Sequence, residues 1–399
     1  MIFRQLTASR HCNSVFGLSK WSRLSEQGRR SICSSQLTIT RSGDESRFDN
    51  MPKKEDLKFG LTMSDHMLTI KWSEAKGGWH APEIVPYQNL SISPAASSLH
   101  YGLECFEGMK AYKSLDGDDP ASLRLFRPDK NMTRLKNSMS RLSLPGCDFE
   151  SNELINCLKS LVRLDSRWIP EGEGYSLYIR PTVIATHPFL GVAPPSEILL
   201  YVITCPVGPY YKGGFEPVRL TADTEFVRAW PGGTGQAKVA GNYGPTMKAS
   251  SEAAERGYDQ VLWLFGEEKY VTEVGAMNVF FLVEGEDGVK ELVTPPLTRG
   301  DILPGVTRAS IVELVAKSED YKVTERNITM KELQEKAHQG KLLEAFGAGT
   351  AAVVCPIKCI QYEGKDIDIP ATGHLTKLIW KQLTDIQYGK VQHPWSVIV

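Results

Sequence analysis

Apolar positions along this chain change period several times, and each change predicts an element. After Pro128, Met132, Leu135, Met139 and Leu142 recur at steps of three and four. That is helical spacing, and a proline suits the first turn, where its missing N–H costs nothing. Leu154, Ile155, Leu158, Leu161 and Val162 predict a second helix with one apolar face. Strand-like runs occupy 59–72, 123–126, 175–181 and 198–205, and 89–94 looks like a strand ending. Within 99–112, Gly108 marks a place where two strands turn or approach closely. Strands and helices here do not alternate strictly, which predicts an α+β arrangement.

The segment 207–217 carries two prolines and three glycines and predicts an interdomain linker. Beyond it, strands are expected at 218–221, 261–265, 269–272 and 279–283. Helices are expected at 245–256, capped by Gly257, and at 306–317, 330–338 and 374–387. The division is a smaller domain over 46–206 and a larger cofactor-binding domain over 218–399.

Composition removes several classes. At 399 residues, the chain can build two ordinary cores. Forty-six basic and 47 acidic residues leave a net charge of −1, so bulk charge does not predict a nucleic-acid partner. No apolar run reaches the ~20 residues of a membrane helix. The eight cysteines lack CxxC spacing and the histidines are isolated, so spacing offers neither a disulfide framework nor a metal site. The first 43 residues differ: Arg4, Arg10, Lys20, Arg23, Arg29, Arg30 and Arg41 stand against one acid, Glu26, among frequent serines. That composition predicts a mitochondrial transit peptide over residues 1–45, disordered and outside the fold.

The candidate chemistry lies in two segments. Arg228-Ala-Trp-Pro-Gly-Gly-Thr-Gly-Gln-Ala-Lys-Val-Ala-Gly-Asn-Tyr-Gly-Pro245 offers an amine, Lys238, on a glycine-dense backbone, with the phenol of Tyr243 five positions on. Thr272-Glu-Val-Gly-Ala-Met-Asn278 offers the carboxylate of Glu273 after an apolar strand. An amine, a phenol and a carboxylate are what pyridoxal phosphate needs at its aldehyde, ring oxygen and ring nitrogen. A Walker loop fails here, because Ala237 stands where glycine is needed and Val239 where a hydroxyl must reach magnesium. For the phosphate, Gly305-Val306-Thr307 precedes a helix and Gly347-Ala-Gly-Thr350 is a second glycine turn. Spacing alone does not choose among Arg134, Arg228, Arg180 and Arg308 as the cationic partner.

From about Phe59 to the C-terminus the chain resembles the eukaryotic branched-chain aminotransferases, and the N-terminal extension resembles the mitochondrial type. The resemblance rests on Leu99-His-Tyr-Gly-Leu-Glu-Cys-Phe-Glu-Gly-Met-Lys110, Leu125-Phe-Arg-Pro128, Asn131-Met-Thr-Arg134, Leu177-Tyr-Ile-Arg-Pro-Thr182, Leu303-Pro-Gly-Val-Thr-Arg308, Phe346-Gly-Ala-Gly-Thr350 and the Lys238 and Glu273 segments. It implies the two-domain D-amino acid aminotransferase-like fold and a homodimer. The implied activity is pyridoxal 5'-phosphate-dependent transamination of leucine, isoleucine and valine with 2-oxoglutarate.

By the same resemblance, Lys238 bonds the cofactor aldehyde, Tyr243 faces the ring oxygen and Glu273 the ring nitrogen. Arg134, Arg228, Val306, Thr307 and Thr350 hold the phosphate. Phe59, Tyr101, Phe106, Tyr178, Leu190 and Val192 form the substrate pocket, with Tyr101, Leu190 and Val192 coming from the partner subunit. Thr350 and Ala351 N–H groups, with Tyr101 and Arg180, take the α-carboxylate, and Tyr210 closes over the pocket. Two departures from the animal pattern stand out: Ala352 replaces the first cysteine of a redox pair ending at Cys355, and Ala276 replaces a threonine. The rivals are a D-amino acid aminotransferase or aminodeoxychorismate lyase-like enzyme of the same fold and, from another class, a nucleotide- or anion-binding module.

Overall fold

The structure is a computed structural model that describes residues 30–115, 122–209, 215–370 and 373–399. Among these residues it contains two mixed sheets, of ten and nine strands. In the first, His66–Ser73 pairs antiparallel with Glu197–Val207, and that strand pairs with Ser176–Ala185. Met109–Lys113 and Glu104–Phe106 extend from Ser176–Ala185. The helices Pro128–Arg141 and Ser151–Leu164 cover this sheet. Their predicted apolar faces are the ones buried: Met132, Leu135, Leu158 and Leu161 pack with Leu68, Ile70 and Leu200. A fully buried side chain of this kind contributes roughly 1.5–3 kcal/mol.

In the second sheet, Val218–Thr221 lies parallel to both Gln260–Phe265 and Val353–Tyr362. Leu342–Gly349 and Asn278–Glu284 continue it antiparallel. Helices Val306–Val315 and His374–Gln387 close over Phe280 and Phe346, whose rings stack at 5.1 Å. The sheets divide between Val207 and Val218, where the sequence breaks regular structure, but the C-terminal strand Ser396–Ile398 returns to the first sheet beside Leu123–Phe126. The last strand thus departs from a larger domain running unbroken over 218–399.

Two local expectations are corrected, and one short helix is new. The run 59–72 becomes a strand only from His66, because Gly60 takes a positive φ of 75° in a turn. Residues 89–94 form no strand. Leu99 and Tyr101 belong to a short helix, Ser97–Tyr101, ended by Gly102 in the left-handed region.

The boundary at residue 45 is also corrected. From Arg30 onward the chain is packed against the first sheet. Arg30 is clamped between the carbonyl of Gly77 and the N–H of Trp79, at 2.8 and 2.9 Å. Ile32 is buried in the core, and the Ser34 N–H donates to Glu153. Basic composition describes solubility and targeting; it does not see that one isoleucine fills a core site. Residues 1–29 lie outside the described residues.

Candidate active site

Lys238 belongs by sequence to the second half but is held by the first. Its neighbours Ala237 and Val239 are buried in the first sheet's core. Its N–H donates to Ser138 Oγ at 2.8 Å, and its carbonyl accepts from the N–H of Phe106 at 3.0 Å. Asn242 Nδ2 donates to the carbonyls of Thr234 and Ala237, both at 2.9 Å, tying the loop into a fixed shape. Gly235 is required there: a Cβ would lie 2.6 Å from the Asp301 carbonyl oxygen and 2.7 Å from the Ala229 Cβ. With its backbone pinned on both sides, Lys238 extends its amine into a cavity of about 460 Å3 between the sheets. Its Nζ donates to the Tyr243 hydroxyl at 2.9 Å and sits 4.6 Å from the centre of the Phe106 ring.

Glu273 ends one strand and Asn278 begins the next. Between them Val274 and Met277 exchange backbone hydrogen bonds across a tight turn, with Gly275 at φ 54°. The turn brings Asn278 Nδ2 to Glu273 Oε1 at 3.1 Å and to the Leu303 carbonyl at 2.9 Å. The guanidinium of Arg228 is in ion-pair contact with the other oxygen of Glu273. Both side chains of that pair are almost wholly buried. Burial pushes the Glu273 carboxyl up to about 7, against the opposing pull of Arg228.

Across the cavity, Val306 and Thr307 open a helix whose N-cap, Gly305, has no side chain to satisfy the first N–H groups. They face a place suited to an anion. Gly305 is close-packed, since a Cβ would meet Asn278 Oδ1 at 2.0 Å. Arg134 stands nearby in a two-bond fork with Glu107, at 2.7 and 2.8 Å. Glu107 is fully buried and accepts also from Asn131 Nδ2 at 2.8 Å. Thr350 Oγ1 donates to the Gly108 carbonyl at 3.3 Å.

The remaining walls are largely aromatic. Phe59 meets Tyr178 edge-on at 4.7 Å. The Arg180 guanidinium lies 4.7 Å from the Phe106 ring centre and donates to the Tyr178 hydroxyl at 3.1 Å. Its Nε is buried without a partner, a donor left for an incoming acceptor. Ala276, Met277, Ala351 and Ala352 complete the lining.

The structure thus brings together Phe59, Phe106, Arg134, Tyr178, Arg180, Lys238, Tyr243, Val306, Thr307, Thr350 and Ala351 around one cavity. Glu273 and Arg228 sit behind its wall as a pair. Tyr101, Leu190 and Val192 do not line it; they are exposed together on the first half, where the Tyr101 hydroxyl donates to the Leu190 carbonyl. Tyr210 lies outside the described residues. Sequence reasoning assigned no role to Glu107, Asn131 or Asn278. Each lies inside a motif that draws attention to another residue, and a polar side chain beside an apolar strand or helix start was the available signal.

With Ala352 in place of a cysteine, Cys359 is the nearest thiol in sequence that could pair with Cys355. Cys355 and Cys359 share the strand Val353–Tyr362. Four strand residues separate Cα atoms by roughly 13 Å, beyond the roughly 7 Å a disulfide spans.

A family model described as amino-transferase class IV matches residues 104–360, from the strand beside Lys238 to the central strand Val353–Tyr362 of the second sheet. The chain belongs to that family. Curated relatives named as branched-chain-amino-acid aminotransferases match over most of both chains. The one from Dictyostelium discoideum is 51% identical over 88% of this chain and 92% of its own. Mitochondrial enzymes from Saccharomyces cerevisiae and Mus musculus are each 50% identical, covering 92% and 85% of this chain and 93% and 85% of their own. Among solved structures, the Escherichia coli branched-chain amino acid aminotransferase superposes with a TM-score of 0.67 at 26% identity, over 83% of this chain and 97% of that one. The enzyme from Thermoproteus uzoniensis, solved with norvaline, gives 0.66 at 27% identity, over 82% and 98%.

The cofactor of this family is pyridoxal 5'-phosphate, and this aminotransferase has a site that fits it. An amine and a phenol are hydrogen-bonded to each other, a buried carboxylate stands behind the wall, and uncapped helix N–H groups face the same cavity. Gly108 and Gly305 let the wall pack closely around the cavity: a Cβ at Gly108 would meet the Tyr178 hydroxyl at 2.0 Å, as one at Gly305 would meet Asn278.

Proposed function

We infer that this aminotransferase moves the amino group of leucine, isoleucine or valine to 2-oxoglutarate, giving branched-chain 2-oxo acids and glutamate. The observation that carries the reading is the Lys238–Tyr243 pair facing an aromatic and apolar wall, in a chain about half identical over most of its length to branched-chain aminotransferases. Bound pyridoxal 5'-phosphate supplies the electron sink for charge that develops at the substrate α-carbon.

The protein's residues do the rest. Lys238 would hold the cofactor through its aldehyde, and its amine would carry a proton to and from the substrate α-carbon. The Phe106 ring face and the Tyr243 hydroxyl hold its amine in place. Glu273 presents a negative charge to the ring nitrogen. Arg228, in contact with that carboxylate, opposes the effect of burial and favours its ionised form; this geometry supports a task at the nitrogen end more directly than the phosphate contact implied by resemblance. Val306 and Thr307 N–H groups, Arg134 and Thr350 bind the phosphate. The unpartnered Nε of Arg180, with N–H groups near Ala351, receives the α-carboxylate. Phe59 and Tyr178 exclude water around the side chain. One methylene in such a wall is worth ~1–3 kcal/mol, so the three substrates are weakly separated.

The reading includes a homodimer, in which Tyr101, Leu190 and Val192 complete the partner's pocket. The exposure of these side chains beside Leu99 and Phe189 on one face supports it, since a patch of this kind marks an interface. It also includes the mitochondrial matrix as location, supported by the Arg- and Ser-rich first 43 residues and by mitochondrial relatives; a cytosolic relative from Mus musculus is 49% identical. A panel of amino donors against 2-oxoglutarate tests the activity: branched-chain donors should lead it, and a lead by D-amino acids would overturn the reading. Sedimentation should give twice the chain mass, and a fluorescent fusion of residues 1–29 should enter mitochondria.

A further inference from the structure

A second cavity, of about 300 Å3, lies behind the Ala351–Ala352 turn. Those two residues line both cavities, so the turn is the wall between them. Its exit residue is Val353 at φ 62°, a conformation a β-branched residue rarely adopts. Such strain gathers at sites that switch or bind.

Two buried polar groups face this second space with bonding capacity to spare. Lys110 is 6% exposed, and its Nζ donates to the Ala351 carbonyl at 2.7 Å. An ammonium has three donors, and among the described residues no carboxylate pairs with it. Burial pulls Lys110 down to about 8, the mark of a cation without a counter-charge. Gln387 is 4% exposed, and its side-chain oxygen is buried with no hydrogen-bond partner. Both residues also border a gap of about 10 Å3 beside Thr350, with room for one water at most. Glu173 stands at the wall with its carboxylate 3.4 Å from Lys390. The other walls are Tyr112, Phe215, Trp380 and Val354.

We propose that this cavity is a second ligand site, for an apolar α-amino acid, and that its occupancy acts on catalysis through the Ala351–Ala352 turn. The carboxylate of the amino acid accepts from Lys110. Its ammonium donates to the Gln387 oxygen, with Glu173 as the nearby negative charge. Its side chain packs on Trp380 and Phe215. Drawing Lys110 toward a carboxylate loosens its hold on the Ala351 carbonyl, and so moves the N–H groups that face the catalytic cavity. The coupling part of this proposal rests on the function inferred above; the site itself does not.

The probe is α-methyl-leucine, which has no α-proton to lose. Equilibrium dialysis against the holoenzyme should find two molecules per chain. In Gln387→Leu and in Lys110→Met the second should bind at least tenfold more weakly. In rate assays the probe should lower kcat for leucine as well as raise its KM, and Gln387→Leu should keep only the KM effect. If the catalytic reading fails, dialysis still finds one molecule in the unmodified protein and none in either variant. One molecule per chain that both variants retain, with water alone in the second cavity, overturns the proposal.

Discussion

The cavity is flanked by two buried carboxylate–arginine pairs, and they are built differently. Glu107 and Arg134 meet in a two-bond fork, and Asn131 takes one of the same carboxylate oxygens. Glu273 and Arg228 touch through single atoms, and the contacting atoms have no well-aligned hydrogen bond. Directed bonds from the fork offset the cost of burying Glu107; at Glu273, burial raises the carboxyl to about 7 against the pull of Arg228. In the first pair the protein supplies directed partners to both oxygens of the carboxylate. The second has contacting atoms without an aligned hydrogen bond, which fits the proposed place of the cofactor ring nitrogen beside Glu273.

That contrast is sharpest in turnover. Lys238→Ala should abolish leucine transamination, since among the described residues no other lysine lines the cavity; borohydride labelling of the native enzyme should mark Lys238, and a label elsewhere would refute its role. Glu273→Gln should slow the α-proton step by roughly 10²–10³-fold while the fold persists. Single-turnover kinetics with leucine measure this, and an unchanged rate would remove Glu273 from the chemistry.

Glu107→Gln should behave in the opposite way. Removing one partner of a buried fork costs about 3–5 kcal/mol, so urea unfolding should shift strongly. Restored stability in a paired Glu107→Gln, Arg134→Met protein would show that the loss came from the stranded charge.

A smaller effect depends on pH. In the cofactor-free protein the Glu273 carboxyl is raised from 4.5 to about 7. The folded state therefore holds its proton where the unfolded chain has released it. Stability from this group is full below about 4.5 and falls as pH rises toward 7, by on the order of 1–3 kcal/mol. Glu273→Gln should flatten that part of the urea-midpoint profile. A native profile that rises over the same window would contradict the assignment.

The smallest effect is expected from mild peroxide. Cys355 is buried and Cys359 is out of reach along the strand, so activity should stay largely intact and dithiothreitol should change little. A reversible loss traced to a bond at Cys355 would overturn this.

Much of the site was legible because its parts are local. Lys238 and Tyr243 lie five residues apart on one glycine-rich loop, and the uncapped helix start at Gly305 follows from adjacent residues. The helices at 330–338 and 374–387 were legible because their apolar period persists for several turns. The end strand Ser396–Ile398 was not, since three residues carry no period. Nor was the order around Arg30 and Ile32, because the core position that Ile32 fills is made by residues far along the chain.

The sequence alone determined the reactive groups, the family they resemble and the two halves that carry them. The tertiary structure decided which groups touch. It placed Lys238 in the grip of Ser138 and Phe106, both far earlier in the chain, and set Arg228 against Glu273. It closed Glu107 onto Arg134. Those pairings depend on how one sheet's core meets the other's, and residue spacing says nothing about a distance across a packed interface.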